Sequence, residues 1–332
     1  MPRRLRQEGV GCGPAPADDS CATITAVSRL CDLERHDGPS FPVGRYLMQT
    51  VSGLNVTELK LDVTELKLDR EGPLIRLKSN RWFDITVAAA LFPFAILFGF
   101  PFALAVWLED RHGPIYAGPR VGKNWRPFRQ FKIRSMVANA EQSGVESTPA
   151  NDPRITRVGH AIRRMKVDEL PQLLNILPGD MSLVGPRPNC LRECLMYSDA
   201  EKRILDVNPG VTDISSIVFS DEQNILAAAT TDPDLAYHQL VRPWKSRFCL
   251  LYLEKQSLRL DVELILITGL ALFSRKLALR ALQPLLQRLG ADDQLLRIAR
   301  REAMLTPYPP PGLRDIVREV PPVKARLALL AA

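Results

Sequence analysis

The stretch Arg163–Pro188, "RRMKVDELPQLLNILPGDMSLVGPRP", decides how the rest of the chain is read. Leu170, Leu173, Leu174 and Leu177 recur at i, i+3, i+4 and i+7, the spacing of one helix face. Pro171 is tolerated only in a first turn, where its missing N–H has no intrahelical partner, and "PGD" at 178–180 ends the run. The spacing therefore predicts a helix that starts close to Asp168, with Asp168 and Glu169 at its N-terminus. Free N–H groups and the helix dipole keep carboxylates ionised there. Downstream, "LVGPRP" predicts a strand that runs into a loop stiffened by Pro186 and Pro188, holding Arg187 in one pose.

The acid pair has cationic company. "PRITRVGHAIRRMKV", Pro153–Val167, carries Arg154, Arg157, Arg163, Arg164 and Lys166 without an acid, and Arg111–Ser135 carries seven basic residues without one. Two carboxylates about 4 Å apart repel by on the order of 4 kcal/mol at an effective dielectric near 20, so a divalent ion and arginines are expected to offset that cost. Arginine's fork suits phosphate, and an ionised carboxylate is a nucleophile that needs no base. The pattern predicts an anionic nucleophile awaiting a phosphorylated substrate. The competing reading is plainer: Asp168 caps a helix and Glu169 makes a surface ion pair.

Outward from this stretch, 332 residues with 44 basic against 37 acidic side chains leave a net charge of +7, which favours an anionic partner. Six cysteines form no CxxC pair and only four histidines are present, so a zinc site has no framework. "MPRRLRQEGVGCGPAP" has no apolar core behind its basic residues and does not read as a secretory signal. Residues 1–78 read as a disordered extension, rich in Pro, Gly and small polar residues up to about residue 47 and containing the tandem heptapeptide "VTELKLDVTELKLD" at Val56–Asp69.

Residues 79–110 form a membrane segment, since Ile85–Leu108 runs 24 residues without a charge. A straight helix of that length spans about 36 Å, against a bilayer core of about 30 Å. Pro93, Gly99 and Pro101 interrupt it, and both flanks are basic: Arg76, Lys78 and Arg81 before, Arg111, Arg120 and Lys123 after. The positive-inside rule then puts both ends in the cytoplasm, which a helix that enters, breaks and returns satisfies. Arg81 and Asp84, three apart at the entrance, can pair on one face. Residues 111–275 read as a mixed α/β domain in which "PFRQFKIRSM" alternates as a strand, and 276–332 as a basic amphipathic helix with a Pro-rich tail. The helix either lies on the membrane or caps the domain.

At these residues the chain resembles the bacterial sugar transferase family, the monotopic polyprenyl-phosphate phosphoglycosyl transferases that initiate exopolysaccharide, capsule and O-antigen synthesis. "KVDELPQLLNILPGDMSLVGPRP" is similar to the family signature, and "NRWFD", "GPIYAGPRVGKNWRPFRQFKIRSM", "NDPRITRVGHAIRR", "NPGVTDISSI" and "LRLDVELILIT" follow in family order over about residues 79–275. The resemblance implies a re-entrant helix-break-helix joined to a compact cytosolic α/β domain with membrane-surface helices. It implies transfer of a sugar 1-phosphate from a nucleoside diphosphate sugar to polyprenyl (undecaprenyl) phosphate, with release of a nucleoside monophosphate and with Mg²⁺ as cofactor, at the cytoplasmic face of a bacterial inner membrane. Asp168 would be the nucleophile, and Glu169 its partner as metal ligand or proton-transfer group. Arg163, Arg187, Lys132 and Arg134 would bind phosphate, and Pro93 or Pro101 would break the helix.

The chain departs from the family pattern in four places. Neither proline has the usual spacing from the entrance Asp, Asn80 replaces a lysine, "AGP" at 117–119 stands for Arg-Gln-Glu, and Ile214 stands for tryptophan. Two other readings compete: an inactive membrane-attached scaffold, against which intact Asp168, Glu169 and Arg187 count, and a basic nucleic-acid binder, which predicts no long apolar run.

Overall fold

The computed structural model describes residues 81–140 and 147–321, so the expectations for 1–78 lie outside the described residues. Arg81–Asp110 is a 30-residue helix, α1, with Asp84 in its first turn, where a carboxylate complements the helix dipole. Pro93 and Pro101 both lie inside it. The expected break is therefore not a gap in the helix; an internal proline removes a hydrogen bond without having to end the helix. One narrow stripe of α1, Asp84, Ala88, Gly99 and Val106, is buried, while Phe94, Leu97, Phe98 and Phe100 point outward. Among the described residues it is the one helix long and apolar enough to cross a membrane.

The rest is richer in helix than the expected α/β mixture. An antiparallel hairpin, β1 (Ile115–Val121) and β2 (Pro127–Ile133), precedes α2 (Arg157–Met165). A 3-10 helix (Val167–Gln172) leads straight into the short α3 (Leu173–Ile176), and then come β3 (Ser182–Val184), α4 (Leu191–Cys194), α5 (Asp199–Lys202) and β4 (Gly210–Thr212). β3 and β4 pair in parallel. Six α-helices follow: α6 (Ile214–Val218), α7 (Glu222–Ala228), α8 (Pro233–Ala236), α9 (Arg242–Lys255), α10 (Leu258–Phe273) and α11 (Arg275–Leu289), with α12 (Asp293–Arg300) last.

The main core runs from Ala88 of α1 through Ile176, Val184, Ile217, Phe248 and Leu264 to Leu282, Leu286 and Leu296. It therefore includes the apolar face of α11, which caps the domain. A second cluster, Val106, Ile133, Ile162 and Val167 with Phe102 and Leu170 against it, fastens α1 to β2 and to the helices on either side of Lys166.

Candidate active site

The acid pair stands at a sharp chain reversal. Thr156 caps α2, its Oγ1 accepting from Gly159 N–H at 2.9 Å. Lys166 ends α2 in the left-handed region (φ 55°), its N–H donating to the Arg163 carbonyl, and the same residue opens the 3-10 helix. Arg163, in the last turn of one helix, thereby comes close to Asp168, in the first turn of the next. The expected helix start near Asp168 is present; its first turn is 3-10 rather than α, which accommodates Pro171.

Arg187 reaches the pair from the loop after β3. Its guanidinium donates to both oxygens of Glu169, at 2.5 and 3.1 Å, and to the Val211 carbonyl at 3.2 Å. That loop depends on a close backbone approach. Gly210 N–H donates to the Pro186 carbonyl at 2.9 Å, and a Cβ on Gly210 would stand 2.1 Å from the Gly185 nitrogen. Lys132 approaches from β2, near enough to feel Glu169, Asp168 and Arg187. Arg163 is steadied by donation from its Nε to Ser135 Oγ at 2.9 Å.

Two adjacent carboxylates thus diverge in acidity. Burial and the neighbouring Glu169 charge raise the Asp168 carboxyl, against the pull of Lys132, Arg163 and Arg187. Burial would raise Glu169 as well, but the bidentate Arg187, helped by Lys132, outweighs it and holds that carboxyl well below its usual range. Burial pushes the Lys132 amine down to about 8 despite Glu169 beside it.

Other expected site residues lie elsewhere. Arg134 gives both terminal nitrogens to Asp110 at 2.6 Å and its Nε to the Gly113 carbonyl at 2.9 Å, so it closes the end of α1 and has little left for phosphate. Arg81 donates to the Leu177 carbonyl at 2.6 Å, and Asp84 accepts from Leu183 N–H at 3.1 Å. Both hold the start of α1 to the far end of the acid-pair segment. Sequence reasoning missed Asn175, whose amide donates to the Arg129 carbonyl at 2.7 Å and accepts from Phe131 N–H at 3.0 Å, fixing β2 so that Lys132 meets the pair. An asparagine among leucines was the available signal.

Fold and site together define a class: a small helix-rich α/β unit with one long apolar helix and a carboxylate pair surrounded by cations. The bacterial sugar transferase family matches residues 75–275, and the chain belongs to it. An Aeromonas hydrophila protein named UDP-N-acetylgalactosamine-undecaprenyl-phosphate N-acetylgalactosaminephosphotransferase is 44% identical over 109 residues, 33% of this chain and 26% of its own. The undecaprenyl-phosphate glucose phosphotransferase of Komagataeibacter xylinus is 35% identical over 203 residues, 57% of this chain and 35% of its own. The exopolysaccharide production protein ExoY of Sinorhizobium fredii is 37% identical over 155 residues, 42% of this chain and 68% of its own. The chain thus spans between a quarter and two thirds of the length of these curated relatives.

Proposed function

We propose that the chain transfers a sugar 1-phosphate from a UDP-sugar to undecaprenyl phosphate, at the cytoplasmic face of a bacterial inner membrane. The observation that carries this is Asp168, which no arginine fork among the described residues grips, beside a Glu169 whose oxygens Arg187 holds, within a chain of this family. An Asp168 oxygen attacks the donor's β-phosphorus. The bond from that phosphorus to the bridging oxygen breaks, and UMP leaves with the electron pair. The lipid phosphate then attacks the same phosphorus and frees Asp168, giving a polyprenyl diphosphate sugar. Arg187, Arg163 and Lys132 supply positive charge to the phosphoryl oxygens and fix their position.

Among the described residues no cluster of three or more His, Cys, Asp or Glu could form an all-protein metal cage. Mg²⁺ is content with one or two carboxylates and the substrate's own phosphates, and Asp168 and Glu169 fit that donor set. Held there, Mg²⁺ would offset charge developing on the transferring phosphoryl group.

The test is detergent-purified chain with undecaprenyl phosphate, Mg²⁺ and a panel of UDP-sugars, scored by UMP release. Turnover should be lost in Asp168→Asn, and mass spectrometry of wild-type chain held with donor alone should find a sugar phosphate on the Asp168 peptide. Product formation by Asp168→Asn at the wild-type rate removes Asp168 as nucleophile.

A further inference from the structure

Lys132 reaches the acid pair from β2, and the residue directly opposite it on β1 is Tyr116. Opposed residues of an antiparallel pair carry their side chains on the same face. Tyr116 therefore stands beside Lys132 on the face turned to Asp168 and Glu169. Two further observations agree. Arg120, four residues along β1 and so on that same face, lies near enough to Lys132 to disfavour its charge. The Tyr116 ring also lies back over Gly118, the residue between them: a Cβ on Gly118 would stand 2.6 Å from Tyr116 Cε1 and 2.8 Å from its hydroxyl. Glycine is what lets the ring lie flat along the strand. Tyr116 is half-buried.

We propose that Tyr116 is a specificity-determining residue whose ring packs on the sugar of the donor. This rests on the reading of the chain as a sugar-1-phosphate transferase. The sugar is favoured over the base by reach. It is joined to the phosphorus that Asp168 attacks, whereas the base stands beyond a second phosphate and a ribose. A hexose offers an apolar C–H face with a polar rim, the complement of an aromatic ring that carries a polar tip. Sugars that differ in the hydroxyl nearest that tip would then differ in turnover.

The test uses the full chain with undecaprenyl phosphate, Mg²⁺ and, in turn, UDP-glucose, UDP-galactose and UDP-N-acetylgalactosamine. Tyr116→Ala should lower kcat/KM for the best donor about tenfold, the scale of one aromatic contact, and shrink its advantage over the other two. Inhibition by UMP, which has the base and ribose but no hexose, should not change. Gly118→Ala displaces only the far end of the ring, so it should shift the sugar ratios the same way in a chain that folds normally. Unchanged ratios in both variants, with the wild type active, overturn this inference and leave the transferase reading intact. UMP inhibition that weakens in step with Tyr116→Ala also overturns it, by putting the ring on the base. A wild type inert toward all three donors removes the transferase reading and this inference with it.

Discussion

Asp168 and Glu169 are adjacent, yet the fold treats them oppositely, and stability should report that. Asp168 has its carboxyl raised by burial and by Glu169, so the folded chain holds that proton more tightly than the unfolded one. Its favourable contribution exists at low pH and is lost as pH rises through the raised value, which makes ionised Asp168 a net cost at pH 7. Glu169 is held low by Arg187 over the effect of burial, so it stabilises above the usual carboxylate range and loses that only as pH falls through its folded value. Asp168→Asn should therefore raise the Tm while ending turnover, and Glu169→Gln should lower it; each kcal/mol is worth about 2–4 °C in a chain of this size. A thermal melt of both variants at pH 7 checks the signs, and a lower Tm for Asp168→Asn contradicts the burial argument. The same groups shape the pH profile of kcat/KM, which reports the free enzyme. Its acid limb should lie above that of a free aspartate, and a basic limb should appear as Lys132 discharges near 8. The opposed roles were legible in "VDEL" only as a pair, because the residue that separates them, Arg187, is 18 positions away and its aim depends on Gly185 meeting Gly210.

At the scale of the element, α1 is held at both ends by the same unit. Its start is tied to Leu177 and Leu183, and its end to Arg134 and, through Glu109, to the Arg157 N–H at 3.1 Å. A helix that crossed a bilayer once, with its end on the far side, could not give both termini to one domain. A segment that enters and leaves on one face would meet that constraint, and both prolines lie inside the continuous helix. Cysteines placed at Trp82, 84% exposed, and at His112, also exposed, should both react with a membrane-impermeant reagent from the cytoplasmic side only. Periplasmic labelling of either one rejects the topology. The sequence made the apolar run and its basic flanks plain. It did not reveal the staples, since Asp110 and Arg134 are 24 residues apart and the cation had an equally good use as a phosphate ligand. The site helix shows a similar limit: its position followed from leucine spacing and Pro171, whereas its 3-10 turn follows from Lys166 adopting a left-handed conformation that no glycine advertised.

For the whole molecule, the family match and the fold end at different places. The match stops at residue 275, yet Leu279, Leu282, Leu285 and Leu286 of α11 are buried in the same core as Ile217 and Phe248. Beyond α12, Arg301 pairs with Asp221 at 3.3 Å, and Tyr308 stacks on Trp244 with ring centroids 4.4 Å apart. An amphipathic pattern states that one face must be covered. It does not state by what, and here the cover comes partly from the adjacent α10 and partly from α6, far back in the chain and beyond the reach of any local periodicity. The two readings of α11, membrane surface or domain cap, separate by substitution. Leu282 is 0% exposed, and Leu282→Ala should cost about 2–5 kcal/mol through lost burial and the cavity left behind. Leu277, on the same helix, is 49% exposed, and Leu277→Ala should leave the Tm within a degree or two of wild type. Melts in detergent give the comparison directly, and equal small effects at both positions contradict the packed core. With α11 in the core, a chain cut after Ser274 strips the partners from Ile217 and Leu264 and should aggregate on extraction, although it retains Asp168, Glu169 and Arg187 and nearly all of the family match.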